Sequence, residues 1–441
     1  MIERAVGRWK RSTTILRCLF CAGWATGAAA QDWPQFRGPD GNGIAAGSKP
    51  PIKWSESENL AWKVELHGAG ASSPIIVGNR VWVTSWSGPS AWGRRGQPLK
   101  RHLACLDAEN GTLLWEKTFP AEANPDPYDG FLQEHGYASQ TPVTDGERVY
   151  VYFGKAGALA FDLEGRQLWQ AELGTGANEK NWGSASSPIL YEDAVIISAS
   201  EESHAVYALD KRTGRQRWKS EANSLENVFA TPALVSHGGQ RELIVAVPGQ
   251  VWGLNPENGR TRWYADTGLP GNIVPSVVSG EGVVYAFGGF PRLGAVAFKL
   301  GGRDDVTRTH RLWATQHSTY IPTPVLHEGR LYFANDAGFA TCLDARTGEL
   351  VFKERLAGAN DNGRGGKPFY ASAILANGNI YAVSRRNGVF VFAARPEFQL
   401  LARNRLASDE APFNATPAIA GDRIFLRSDR YLYCIATGAG S

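Results

Sequence analysis

The sequence predicts an all-β chain: one eight-bladed β-propeller of four-stranded antiparallel blades, closed by an outer strand from its N-terminal end. Three observations point to it. One phrase returns eight times at blade-sized intervals, a large aromatic follows most hairpin turns at a fixed distance, and each end of the chain holds a strand-like piece that only the other end can complete.

The repeat opens at Ser73-Pro74, Thr141-Pro142, Ser187-Pro188, Thr231-Pro232, Pro275-Ser276, Thr323-Pro324, Ser372-Ala373 and Thr416-Pro417. Most neighbouring openings lie about 44 to 50 residues apart, the length of a four-stranded blade. Only the first interval is enlarged. Within a unit, Arg80-Val81-Trp82-Val83-Thr84, Arg148-Val149-Tyr150-Val151-Tyr152 and Arg330-Leu331-Tyr332-Phe333 are rich in the β-branched and aromatic residues that half-buried strands favour. No segment beyond the N-terminal region has a helical period, which argues against an α/β fold.

Each unit closes on a turn with a mechanical logic. Asp107, Asp210 and Asp344 lie four residues before Gly111, Gly214 and Gly348, so the carboxylate can cap a hairpin whose glycine takes positive φ. Four residues further on stand Trp115, Trp218 and Phe352; Trp169 and Trp263 hold the same place after Gly165 and Gly259. These rings are expected to dock each blade on the next. Blade five substitutes the longer 301–311 before Trp313, and blade seven has lost the motif. The last unit stops after Tyr431-Leu432-Tyr433-Cys434-Ile435, while Leu60-Ala61-Trp62-Lys63-Val64 precedes the first opening. The N-terminal segment, with Trp62, is therefore expected to complete the final blade and leave no open sheet edge.

Residues 1–30 read as an export leader: basic Arg4, Arg8, Lys10, Arg11 and Arg17, the apolar run Cys18 to Ala25, then Ala28-Ala29-Ala30 before Gln31. The run is too short to span a bilayer. The expectation is one mature domain, 31–441, exported to the periplasm or the cell exterior, without a transmembrane span and monomeric. Phe20 precedes Cys21 where a lipid-modified leader wants a small residue, so lipidation is the less favoured reading. The leader holds five basic residues and one acidic one; without it the formal charge of +3 becomes −1. A near-neutral surface without Lys/Arg runs argues against nucleic acid as a partner. Cys105, Cys342 and Cys434 occupy the same register of separate units as Ala160, Ala208, Gly253 and Ala297, so they are read as small core residues.

The phrase from Ala208-Leu209-Asp210 through Thr213-Gly214 to Trp218 resembles the tryptophan-docking repeat of the pyrroloquinoline-quinone (PQQ) repeat family. That family includes PQQ-dependent dehydrogenases and BamB-type scaffolds of outer-membrane β-barrel assembly. Asp32-Trp33-Pro34-Gln35-Phe36-Arg37-Gly38-Pro39-Asp40-Gly41-Asn42-Gly43 is similar to the opening of exported PQQ-like propellers and is read as a segment packed on the ring. The resemblance implies the fold; the repeated residues hold blades together and carry no chemistry of their own. For a dehydrogenase it implies PQQ with calcium in the central funnel, an Asp base and a vicinal cysteine pair; this chain has no adjacent cysteines and no Cys-x-x-Cys-His.

In a propeller the segments entering the innermost strands surround the channel mouth. The candidate ligand-binding residues are therefore His67, His135, Gln140, Asn181, Trp182, Asn227, Asn272, Tyr320, Tyr370 and Asn414. Such a set could hold a planar or sugar-like ligand by amide hydrogen bonds and stacking; the plainer alternative is that it satisfies backbone and channel water. The enlarged loops 87–100, 120–136 and 358–368 are expected to flank the same mouth. Glu134-His135 and Asp361-Asn362 are local polar pairs without a third partner, 363–367 lacks phosphate-loop spacing, and the eight histidines show no zinc motif. No catalytic residue and no metal ligand is assigned. The reading favoured is a noncatalytic binding or scaffold propeller for a protein or carbohydrate partner, with no assigned cofactor; the alternative is a PQQ-dependent alcohol or sugar dehydrogenase.

Overall fold

A computed structural model describes residues 1, 32–88, 97–121, 124–177, 179–359 and 366–439. Residues 2–30 of the expected leader, with Cys21, then Gln31, and the pair Asp361-Asn362 lie outside the described residues, as do parts of the three enlarged loops.

Eight antiparallel sheets of four core strands follow one another along the chain. Blade one spans 75–120, blade two 143–171, blade three 189–221, blade four 233–266, blade five 278–315, blade six 325–355 and blade seven 374–404. Blade eight takes three strands from 418–436 and its outermost from Leu60–Glu65, which pairs antiparallel with Tyr431–Ala436 and sets Trp62 opposite Cys434. The predicted closure is therefore the observed one. Helix is confined among the described residues to short turns, such as Leu132–His135.

The docking register is uniform. Trp115 lies opposite Cys105, Trp169 opposite Ala160, Trp218 opposite Ala208, Trp263 opposite Gly253, Trp313 opposite Ala297 and Phe352 opposite Cys342. A large ring thus always meets a small residue on the neighbouring strand. The strand pair bulges at this point in every blade, which re-aims the ring towards the next sheet. Cys105, Cys342 and Cys434 are buried and free, as their register suggested.

At five seams the ring is fixed twice. The indole N–H of Trp62, Trp115, Trp169, Trp218 and Trp313 donates to a backbone carbonyl of the next blade, at Ala108, Leu163, Lys211, Pro256 and Ala345, over 2.9–3.1 Å. Each acceptor follows directly on the Asp or Asn that caps the turn. Asp210 Oδ1, for example, accepts from the backbone N–H of Arg212 and Thr213. The ring face lies on the turn glycine itself: a Cβ at Gly214 would sit 2.7 Å from Trp169 and one at Gly259 2.5 Å from Trp218. That glycine supplies both the positive φ and the flat abutment. Burying an indole of roughly 200 Å² contributes several kcal/mol per seam at about 25 cal/mol per Å².

The three remaining seams depart from this scheme. Trp263 donates to Glu242 of its own blade, because the long 301–311 connection folds back and lays Asp304–Asp305 alongside it as an added parallel strand. Phe352, which has no N–H to satisfy, packs on Phe398 of blade seven at 5.5 Å. Blade seven has Ala402 opposite Val391 at its docking position. The N-terminal segment fills the gap: Trp54 is buried and stacks on Tyr381 at 6.4 Å. Tyr381 occupies the register of Tyr150, Tyr285 and Tyr332, whose rings meet Trp169, Trp313 and Phe352 in their own blades.

Candidate functional site

The innermost strands surround a cavity of about 940 Å³, counting the solvent at its mouth. Its wall includes seven of the hydroxyl residues that open the repeats, Ser73, Ser187, Thr231, Ser276, Thr323, Ser372 and Thr416, and Thr141 completes their belt through its bonds to Ser73 and Ser187. The backbone N–H of each donates to the hydroxyl oxygen of the next, from Ser73 onto Thr141 round to Ser372 onto Thr416, at 2.9–3.1 Å. The hydroxyls thus satisfy inner N–H groups that have no further strand to bind. The belt is interrupted only where the chain closes, at Ser73, whose Oγ has no partner among the described residues.

One end of the cavity is covered by the N-terminal segment. Trp33 pairs with Ile76 of blade one, the N–H of Thr144 in blade two donates to the Pro34 carbonyl, and Ile44–Ala45 adds in parallel to blade seven. Phe36 faces the cavity between these anchors. Arg37, 1 % exposed, has only carbonyls as side-chain partners among the described residues: Thr323, Pro324, Ala373, Gly41 and Asn42. Burial lowers its guanidinium pKa to about 9, and its bonds to blades six and seven pin the segment across the channel.

At the other end the helix Leu132–His135 reaches across the mouth. Glu134 pairs with Arg385 of blade seven, and the Glu134 carbonyl accepts from Asn414 Nδ2 at 2.7 Å. His135 Nε2 lies 3.0 Å from the Trp182 carbonyl and so carries the proton, leaving Nδ1 to face Ser139 Oγ at 2.6 Å. Burial pushes the imidazole pKa down to about 4, so it is neutral near pH 7. Phe131 packs on Trp182 at 4.5 Å, and Trp182 on Phe229 at 5.9 Å. Lys367 Nζ caps the Tyr320 ring at 3.6 Å, and the Arg385 guanidinium the Tyr370 ring at 4.1 Å.

Of the sequence-predicted residues, His135, Trp182, Tyr320, Tyr370 and Asn414 line the cavity. Asn272 is buried behind it, donating to the Tyr320 hydroxyl at 2.9 Å and accepting from Lys180 at 2.8 Å. Gln140 is buried, its amide Nε2 donating to the Ser184 carbonyl at 2.7 Å. Asn181 is exposed beside Trp182, and Asn227 is half-buried with its backbone N–H on Glu201. His67 lies apart, on the rim of blade one, with Nδ1 2.9 Å from Glu116 Oε1. Sequence reasoning missed Phe36, Phe131 and Phe229, and it took the hydroxyl openings as markers of the repeat without seeing that they form the wall. It also missed Glu201 and Glu202, buried behind the belt with carboxyl pKa values raised by burial first; Glu202 accepts from Tyr152 and Ser184 at 2.6 and 2.7 Å.

PQQ with calcium does not fit the lining. Calcium takes six to eight oxygens including carboxylates. Among the described residues the cavity wall offers hydroxyls, one amide and one imidazole, and no Asp or Glu.

Comparison with known proteins agrees with this architecture. The family model described as outer membrane protein assembly factor BamB matches over 55–237, 100–354 and 206–441. The BamB of Yersinia pestis is 23 % identical over 341 residues, 66 % of this chain and 82 % of that protein. The BamB of Burkholderia pseudomallei is 20 % identical over 374 residues, 81 % of each chain. The crystal structure of BamB from Moraxella catarrhalis superposes with a TM-score of 0.61 at 13 % identity, covering 86 % of this chain and 97 % of that one, a likeness of fold. With its repeats matched from residue 55 to the C-terminus, this chain belongs to the family of the outer membrane protein assembly factor BamB.

Proposed function

We propose that the chain is a noncatalytic periplasmic scaffold, a monomeric propeller that holds a protein partner during outer-membrane protein assembly. The observation that carries this reading is the family match along the whole ring, which includes the closing strand as well as the individual repeats. The cavity chemistry supports it: a wall of belt hydroxyls of which all but Ser73 accept from a backbone N–H, an imidazole held neutral, and no carboxylate among the described lining residues to act as a base. A leader at 1–30 would deliver the chain to the compartment where such partners are met.

The test is genetic and then biochemical. Deleting the gene should lower the amount of β-barrel proteins in the outer membrane, and supplying it again should restore them; unchanged levels would overturn the reading. Titration with PQQ and calcium should leave tryptophan fluorescence unquenched, and oxidation of alcohols or sugars by the loaded protein would point to the dehydrogenase instead.

A further inference from the structure

We infer that His67, His102 and Glu116 form a binding site for a divalent transition-metal cation, with zinc the best match, that ties the closing strand to blade one. The three come from separate segments. His67 lies two residues beyond the closing strand Leu60–Glu65, His102 is on Lys100–Asp107, and Glu116 is on Leu113–Pro120. In the sheet His102 is opposite Thr118, which places Glu116, two residues along, on the same face.

Their ligand atoms converge. Glu116 Oε1 is 2.9 Å from His67 Nδ1 and 3.9 Å from His102 Nδ1, and the three atoms lie within 4.8 Å of one another. Tetrahedral zinc with bonds of about 2.0–2.2 Å sets its ligand atoms roughly 3.3–3.5 Å apart, so closure on the ion changes these separations by at most about 1.5 Å. The two imidazoles are stacked at 4.2 Å and 28°, and the Nδ1 atom of each faces the same carboxylate oxygen of Glu116.

The supporting contacts are those a metal ligand needs. His102 is fully buried, and its Nε2 lies 2.8 Å from Ser87 Oγ. A proton on Nε2, donated to that hydroxyl, leaves the Nδ1 lone pair facing Glu116, the arrangement that orients ligating histidines. Thr118 Oγ1, 2.9 Å from Nδ1, can donate there in the metal-free protein and yield to a cation. The His67 carbonyl accepts from Ser85 Oγ at 2.7 Å, so its backbone is already moored to blade one. The exposed side of His67 leaves room for water as a fourth ligand. Two imidazoles and one carboxylate suit zinc, nickel or copper better than calcium or magnesium. The spacing of 35 and 14 residues between the three explains why no zinc motif is visible in the sequence.

Calorimetric titration of the full chain with zinc chloride should give one ion per molecule and a raised melting temperature. His67→Ala removes an exposed ring, so the variant should fold normally, yet it should weaken zinc binding at least tenfold and abolish the thermal shift. Glu116→Gln should do the same, and Ser87→Ala should weaken binding about tenfold by releasing the His102 ring. Cobalt(II) in place of zinc should show tetrahedral visible bands that His67→Ala loses. The proposal is overturned if the native chain takes up no zinc, or if His67→Ala and Glu116→Gln bind it as tightly as the native chain.

Discussion

Blades three and four meet through a tryptophan the repeat itself supplies, whereas blades seven and eight meet through one the repeat does not contain. At the first seam Trp218 leaves a bulged outer strand, lies on Gly259 and donates to the Pro256 carbonyl. At the second, blade seven offers only Ala402 at the docking position, and the chain brings Trp54 from a distant N-terminal segment to stack on Tyr381. Polar contacts secure the replacement: the Trp54 backbone N–H donates to Asn404 Oδ1 at 3.0 Å and Asn404 Nδ2 to the Ile52 carbonyl at 2.8 Å. A ring of eight sheets needs apolar filling at every interface, because one open seam exposes two sheet faces at once. The repeat can therefore decay at one position if another segment of the chain fills the space it leaves.

The largest effect should follow from removing that segment altogether. Deleting residues 32–66 takes away the outer strand of blade eight, the Trp54 wedge and the Arg37 anchor together. The expected outcome in urea or thermal unfolding is loss of the single cooperative transition, since the terminal blades no longer hold one another. An unchanged transition would mean that the ring closes without its N-terminal strand.

The next test sets the two seams against each other. Trp218→Ala and Trp54→Ala should each destabilise the protein by about 3–5 kcal/mol, the usual cost of emptying a buried aromatic site. Equal losses in chemical denaturation would show that a borrowed tryptophan does the same work as a repeat tryptophan. A loss at Trp54 below about 1 kcal/mol would show that the Asn404 bonds and the Ile44–Ala45 strand hold that seam alone.

Legibility in the sequence follows the same division. Whatever recurs at a fixed offset was visible: the eight openings, the Asp-capped turn, the small residue that shares one register of the repeats, and the two half-blades that complete each other. What depends on contact between distant segments was not. Trp54 stands alone in Lys53-Trp54-Ser55, and nothing local ties it to Tyr381. Five of the ten channel-mouth candidates do line the cavity, because the rule that loops before inner strands ring the channel is topological. His67 falls elsewhere because it follows the closing strand at the rim, where it meets His102 and Glu116. The hydroxyl belt was in plain view at Ser73, Thr141 and their equivalents. Its role needed the circle, since each hydroxyl serves the blade before its own.

The smallest effect concerns the glycine under the tryptophan, and it separates two costs that the sequence motif combines. Gly214 and Gly329 have nearly the same positive φ, +70° and +69°, so an alanine at either incurs the left-handed strain of roughly 1–2 kcal/mol. A Cβ at Gly329 meets nothing within 4 Å, whereas one at Gly214 would sit 2.7 Å from the Trp169 ring. Gly329→Ala should therefore cost only the strain, and Gly214→Ala a further 1–3 kcal/mol from overpacking the seam. In a Trp169→Ala background the extra cost should vanish, and the double-mutant cycle would report it as coupling between the two residues. Equal penalties at both glycines in the native background would mean that the turn requires glycine for its φ alone, and that the indole can move aside without loss.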